Sequence, residues 1–446
     1  MNRKDTMLRL FRMKRDFTED RIRNGIETNR KSFAFLEFSD SEGRPLRNVH
    51  VRARLKNHEF RIGGNLFMLE EFPRSEQNAA YREYFADIFN IATLPFYWRD
   101  LEVEQGKPRF AADSPKVYRR PAPDLCLEYC EKHGIEPKAH CLNYAGFAPA
   151  WAQGTLEKEK RLLAKRFREL AERYSGRIPS WEVTNETFWN FEHVPFRFYR
   201  EADFVEWSFH TARQYFPGNR LIINEASPFC WEYGTLRANR SLYYMQIERA
   251  LRNGASIDSI GMQFHMFFPA EDEEINTVGK GYYDPEQLYA VLDTYAALGR
   301  NIQITEVTVP AYSPSAEDEE TQAEILRQLY SIWFSHPATE GIIYWNLVDG
   351  FAHGAVQGDM ASGENYYHGG LIRYDFTPKA AYFMIRDLFK KEWTTSIEAD
   401  SGDSSGISFK GFHGNYELEI TAAGKGTVQR NFSLSRDGLR HFRIVL

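Results

Sequence analysis

The sequence predicts an α/β fold, a TIM-type (β/α)8 barrel carrying an N-terminal β-hairpin and a small C-terminal β module. Two observations lead there. Short apolar runs at 60–64, 91–94, 136–142, 180–184, 221–224, 259–263, 302–306 and 341–345 alternate with amphipathic stretches, and eight such units are what an α/β barrel requires. No Gly-x-Gly-x-x-Gly or phosphate loop follows the first run, which argues against an open doubly wound sheet.

The elements follow in order. Residues 33–38 and 49–55 alternate apolar and polar side chains around a Ser41-Glu42-Gly43 turn, the pattern of a β-hairpin. Helical stretches between the apolar runs fall at 156–174, 205–215, 242–253, 285–298 and 320–335. Asp284-Pro285 supplies an N-cap and a first-turn proline to one of them. The barrel closes near Phe389. A turn-rich Ser401-Gly402-Asp403-Ser404-Ser405-Gly406 stretch and short alternating runs after it read as an antiparallel module. The expected division is 1–56 for a helix and hairpin extension packed on the barrel, 57–392 for the barrel, and 393–446 for the module. That module has few aromatics, which favours packing over carbohydrate binding.

Composition narrows the function. The chain has 446 residues, 43% hydrophobic and 26% charged, enough for a large core. A net charge of −6 without a Lys/Arg block argues against nucleic acid as a partner. No signal-peptide pattern and no membrane-length apolar run are seen, so a cytoplasmic location and no membrane association are expected. Cys126, Cys130, Cys141 and Cys230 are too few for a disulfide framework. Cys126 and Cys130 share a helix face but read as buried helix cysteines. No His/Asp/Glu cluster has metal-ligand spacing, so neither metal nor cofactor is expected.

Chemistry concentrates at two glutamates. Glu186 ends Trp181-Glu182-Val183-Thr184-Asn185-Glu186 on the fourth run, and Glu306 lies in Ile302-Gln303-Ile304-Thr305-Glu306 on the seventh. Barrel strands deliver such residues to a shared pocket at their C-terminal ends. Two carboxyl groups, one protonated and one ionised, are the minimum equipment for breaking a glycosidic bond.

These segments resemble glycoside hydrolase family 10, whose best-known members are endo-β-1,4-xylanases. The family's strand-four Trp-Asp-Val-Val-Asn-Glu matches residues 181–186, and its strand-seven Ile-Thr-Glu-Leu-Asp matches Ile304-Thr305-Glu306-Val307-Thr308. The resemblance implies Glu186 as acid/base, Glu306 as nucleophile, and Asn185 as a ligand of the sugar 2-hydroxyl. A strand-six Gln-x-His matches Gln263-Phe264-His265, implying that His265 hydrogen-bonds the nucleophile. Trp345 matches a wall of the −1 subsite. His140 matches the first strand-three His, and Trp151, in Pro149-Ala150-Trp151, matches a Pro-x-Trp; the resemblance implies that both, with Gln263, belong to the substrate-binding site. Residues 371–382 resemble the closing segment, so the likeness runs from about residue 33 to 390.

The departures lie where the family recognises xylose. Its second strand-three His aligns with Ala145 and the preceding Trp with Tyr144. The Glu-Asn, Lys and Trp after strand two are missing around Thr93–Arg99. An Asn-Asp-Tyr after strand five becomes Asn224-Glu225-Ala226. Each hydroxyl left unpaired in a closed site costs on the order of 1–3 kcal/mol. The expected function is therefore a retaining β-glycoside hydrolase acting on a carbohydrate. The alternatives are an exo-acting or differently specific enzyme on short oligosaccharides or glycosides, and a non-catalytic carbohydrate-binding protein.

Overall fold

The structure, a computed structural model, describes residues 2–189, 195–232 and 238–446. Eight parallel strands close into a barrel. They are β1 (Arg61–Asn65), β2 (Ile91–Pro95), β3 (Glu136–His140), β4 (Ser180–Asn185), β5 (Arg220–Glu225), β6 (Ser259–His265), β7 (Asn301–Thr308) and β8 (Thr339–Tyr344). Each coincides with one predicted run, and β8 pairs with β1 to complete the ring. Gly63 in β1 permits close strand approach, because a Cβ there would lie 2.4 Å from the Ile91 carbonyl oxygen. Helices cover the outside. Pro285–Ala296 starts as its sequence implies, with Asp284 accepting from the Glu286 amide at 3.0 Å. Among the described residues no helix is long and apolar enough to cross a membrane.

Three N-terminal helices, Arg3–Met7, Arg9–Met13 and Arg15–Asn29, lie against the barrel's outer layer. Gly25 lets the third approach the helix Ala316–Ser335 closely, since a Cβ on it would stand 2.6 Å from the Ser335 carbonyl oxygen.

The hairpin expectation is corrected. Asp40 does organise a tight turn, accepting from the Glu42 and Arg44 amides at 2.9 Å each. The strands on either side, however, belong to different sheets. Lys31–Ser39 pairs antiparallel with Gly406–Phe412 and parallel with His441–Val445. His50–His58 lies between Ser396–Asp400 and Gly414–Ala422, with Gly426–Leu434 outside. Pro45 and Asn48, the latter at φ +52°, carry the chain from one sheet to the other. The last strand makes the C-terminal module only partly antiparallel. The two sheets enclose their own apolar core, including Leu36, Phe38, Val51, Leu418, Ile420 and Leu434. Trp393 leads into this layer while stacked on Phe334, with ring centroids 4.1 Å apart.

The two ends of the chain therefore complete one another. Removing residues 393–446 should leave Ala34, Leu36, Phe38, Val51 and Ala53 uncovered beside open strand edges, a recipe for aggregation. Size-exclusion chromatography of that truncation checks this. A monodisperse, stable product would show that the barrel does not need the module.

Candidate active site

A cavity of about 430 Å³ opens at the C-terminal ends of the barrel strands, where such folds place their chemistry. Glu186, Glu306, Asn185, Gln263, His265, His140 and Trp345 all line it. Trp151 is not brought there. It sits in the 3-10 turn Ala150–Ala152, packs edge-on against Trp98 at 5.4 Å and donates its indole N–H to the Glu102 carbonyl at 3.1 Å. The expectation that Trp151 lines the site is thus corrected: it braces the wall behind.

Glu186 follows β4 at φ +50°, a left-handed conformation that a non-glycine residue adopts at a cost. Its amide donates to the Asn224 carbonyl at 3.2 Å, which holds this turn. Gln263 Nε2 donates to Glu186 Oε1 at 2.9 Å and to Glu306 Oε1 at 3.1 Å. One amide nitrogen thereby spans both carboxyl groups, and those two oxygens lie no further apart than the sum of its two distances, about 6 Å. Tyr144 Oη donates to the other Glu186 oxygen at 2.5 Å.

Glu306 is buried, and burial raises its carboxyl above the ordinary range. The nearby charges of Glu182 and Glu186 push the same way, while His140 and Lys138 oppose them. Direct donors partly offset the loss of water: Asn224 Nδ2 at 3.1 Å, Gln263 Nε2, and His265 Nε2 at 3.1 Å from Oε2. Burial lowers His265 to about 4, so its imidazole is neutral near pH 7. A neutral ring can donate from Nε2 to Glu306 only if Nδ1 accepts, and Thr308 Oγ1 lies 3.0 Å from Nδ1.

Under the nucleophile runs a buried charge network. Glu182 accepts from Lys138 Nζ at 2.5 Å and from His140 Nδ1. Burial favours the neutral acid, yet the two cations override it and hold Glu182 at about 2. His140, disfavoured as a cation by burial, is raised by Glu182. His140, Glu182 and Glu306 bring ligand atoms within 4.8 Å of one another, close enough for a metal ion. The Lys138 ammonium already supplies positive charge at that cluster.

Asn185 Oδ1 accepts from Asn224 Nδ2 at 2.8 Å, which leaves its amide nitrogen to donate elsewhere. Glu225, raised to about 8 by burial, accepts from the Thr187 amide at 2.6 Å and the Ala226 amide at 2.8 Å, tying down the chain after β4.

Around Trp345 and Tyr144, the rest of the cavity comes mostly from residues that motif reasoning missed. Phe67, Tyr97 and Trp345 form an apolar cluster with Tyr144, Phe147 and Phe267 packed on it. Arg120 lies over the Tyr97 ring at 4.1 Å and is fixed by Asp100 at 2.8 Å. Arg119, at φ +60°, donates to Asn346 Oδ1 at 2.9 Å and to the Phe351 carbonyl, tying the segment after β2 to the segment after β8. Glu364 and His353 complete this side. A signal existed for Lys138 and Glu182, because a charge inside a buried strand demands a partner. Strand alternation also puts Lys138 on the same face as His140. No local signal marked Arg119, Arg120 or Glu364.

Comparison with known proteins agrees with this architecture. The model of glycosyl hydrolase family 10 matches residues 72–388. An anti-sigma-I factor of Acetivibrio thermocellus is 24% identical over 423 residues, covering 94% of this chain and 48% of that protein. Endo-1,4-beta-xylanase 2 of Arabidopsis thaliana is 24% identical, covering 93% of this chain and 35% of its own length. The chain thus spans half or less of these two relatives. Endo-1,4-beta-xylanase B of Thermotoga neapolitana is 24% identical, covering 77% of this chain and 90% of its own. Among solved structures, xylanase 10B of Thermotoga petrophila in complex with xylobiose superposes with a TM-score of 0.57 at 21% identity, covering 75% of this chain and 95% of that one. This likeness is one of fold.

Proposed function

The chain belongs to glycosyl hydrolase family 10, and from that premise we propose that it hydrolyses β-glycosidic bonds of xylan-type carbohydrates by a retaining double displacement. One observation carries the mechanism: the Gln263 amide nitrogen spans Glu186 and Glu306. Retaining enzymes hold their carboxyl groups about 5–5.5 Å apart, whereas inverting ones need about 6.5–9.5 Å to admit a water. The close pair supports direct attack.

In this reading Glu306 attacks the anomeric carbon while Glu186 gives its proton to the leaving oxygen. The products of that step are a glycosyl-enzyme ester and the free leaving group. Glu186, now ionised, takes a proton from water, which attacks the same carbon and releases Glu306. His265 and Asn224 orient the nucleophile, and Asn185 donates to the sugar. Trp345 walls the cavity with an aromatic face.

Proton NMR of the first product anomer tests the stereochemistry. The β-anomer should appear first and then mutarotate, and initial formation of the α-anomer would reject the retaining step. Turnover of xylo-oligosaccharides against polymeric xylan sets the substrate range, since the aromatic and arginine-lined side differs from the family pattern. Binding without turnover of any of them would favour a carbohydrate-binding role instead.

A further inference from the structure

The Tyr144 phenol makes a contact that the paired-carboxylate reading does not require. It follows β3, and its ring rests against Phe147 at 5.3 Å and Tyr97 at 6.3 Å. Its hydroxyl donates to Glu186 Oε2 at 2.5 Å, while Gln263 takes Oε1. Among the described residues each Glu186 oxygen therefore has one fixed donor, and it keeps further lone-pair capacity for the proton it moves.

We propose that Tyr144 is a positioning residue for Glu186, fixing the carboxyl plane so that the same group can give and take its proton in the two steps of turnover. The proposal rests on the reading of Glu186 as acid/base. The phenol suits the task because burial and the Glu186 charge raise it well above its ordinary range, so it stays a donor throughout. The other ionisable groups that feel the Glu186 charge among the described residues are Glu306 on β7, Glu225 on β5, Glu364 after β8, His265 on β6, Tyr97 after β2 and Cys141 after β3. Three of these are acids that disfavour a second negative charge. Among the described residues, Tyr144 and Gln263 supply the direct hydrogen bonds to the carboxylate.

The test is Tyr144→Phe in the full chain, assayed on nitrophenyl and methyl β-xylobiosides across pH. The ring packing is kept, and thermal unfolding within about 2 °C of the parent verifies the fold. Loss of a charge-assisted hydrogen bond should lower kcat by about 10- to 100-fold. Because the phenol aligns the group that protonates the leaving oxygen, the loss in kcat/KM should be larger for the methyl glycoside, which needs that proton, than for the nitrophenyl one. An equal kcat/KM loss on both glycosides means a packing role and overturns the proposal, as does an unchanged kcat. Glu186→Ala is run in parallel. If it turns over the methyl glycoside normally, the acid/base reading falls and this proposal with it. If it does not, while Tyr144→Phe behaves as the parent, only the role of Tyr144 is rejected.

Discussion

Glu306→Ala is expected to reduce turnover of every glycoside by roughly 10⁴-fold or more, equivalent to about 5.5 kcal/mol of transition-state stabilisation. The reason is chemical: no other carboxylate among the described residues receives donors from Asn224, Gln263 and His265 together. The loss should not come from unfolding. Burial and neighbouring negative charges raise the Glu306 carboxyl, so at neutral pH its ionised form is a cost to the fold. The sign follows: a buried acid with a raised pKa binds its proton more tightly when folded, so its contribution to stability falls as pH rises. Removing it should leave the melting temperature unchanged or higher, the usual trade between activity and stability. Glu186→Ala should differ, slowing poor leaving groups by about 10²–10⁴-fold while sparing the first step on activated aryl glycosides. Steady-state assays on a leaving-group series, with calorimetric melting of both variants, check the pair. Near-parental activity in the Glu306 variant would remove it as nucleophile.

What could be read from the sequence depended on how local the cause was. Barrel strands are written in short runs whose period survives tertiary context, and each predicted run became a strand. Glu186 and Glu306 were legible because they end such runs. The layer of two sheets that joins the chain ends was not legible, because strand Lys31–Ser39 finds its partners at the far end of the chain. Its turn at Asp40 is real, yet a turn does not oblige its flanks to pair. Trp151 was misplaced for a related reason. The strand before it fixes His140, but the Trp side chain follows a loop whose direction depends on Trp98 and Glu102. Arg119 and Glu364 reach the cavity on segments whose course is set by contacts with Asn346 and Phe351, not by any period.

Glu182→Gln should destabilise the fold by about 3–5 kcal/mol, because it leaves Lys138 as a buried cation without its anion and takes from His140 the partner that keeps it charged. The pH dependence gives an independent measure. Glu182 is held at about 2 in the fold, against about 4.3 in an unfolded chain, a difference worth about 3 kcal/mol. A depressed carboxylate contributes fully above its unfolded value and loses its contribution as pH falls through the folded one. The parent should therefore keep this stabilisation above about pH 4.3 and lose it toward pH 2, whereas the Gln variant should lack that step. Urea unfolding at a series of pH values reads both. The double change Lys138→Met with Glu182→Leu removes the charges together and should recover much of the stability. It should not recover the site. Glu182 is what raises His140, and His140 is the largest cationic influence on Glu306. With the acid gone, His140 becomes neutral and Glu306 holds its proton to higher pH, so the acid limb of kcat/KM should move upward. A double variant that is stable and keeps the parental limb would show that the network serves folding alone. One that is stable with a displaced limb would show that these buried charges are retained to keep the nucleophile ionised.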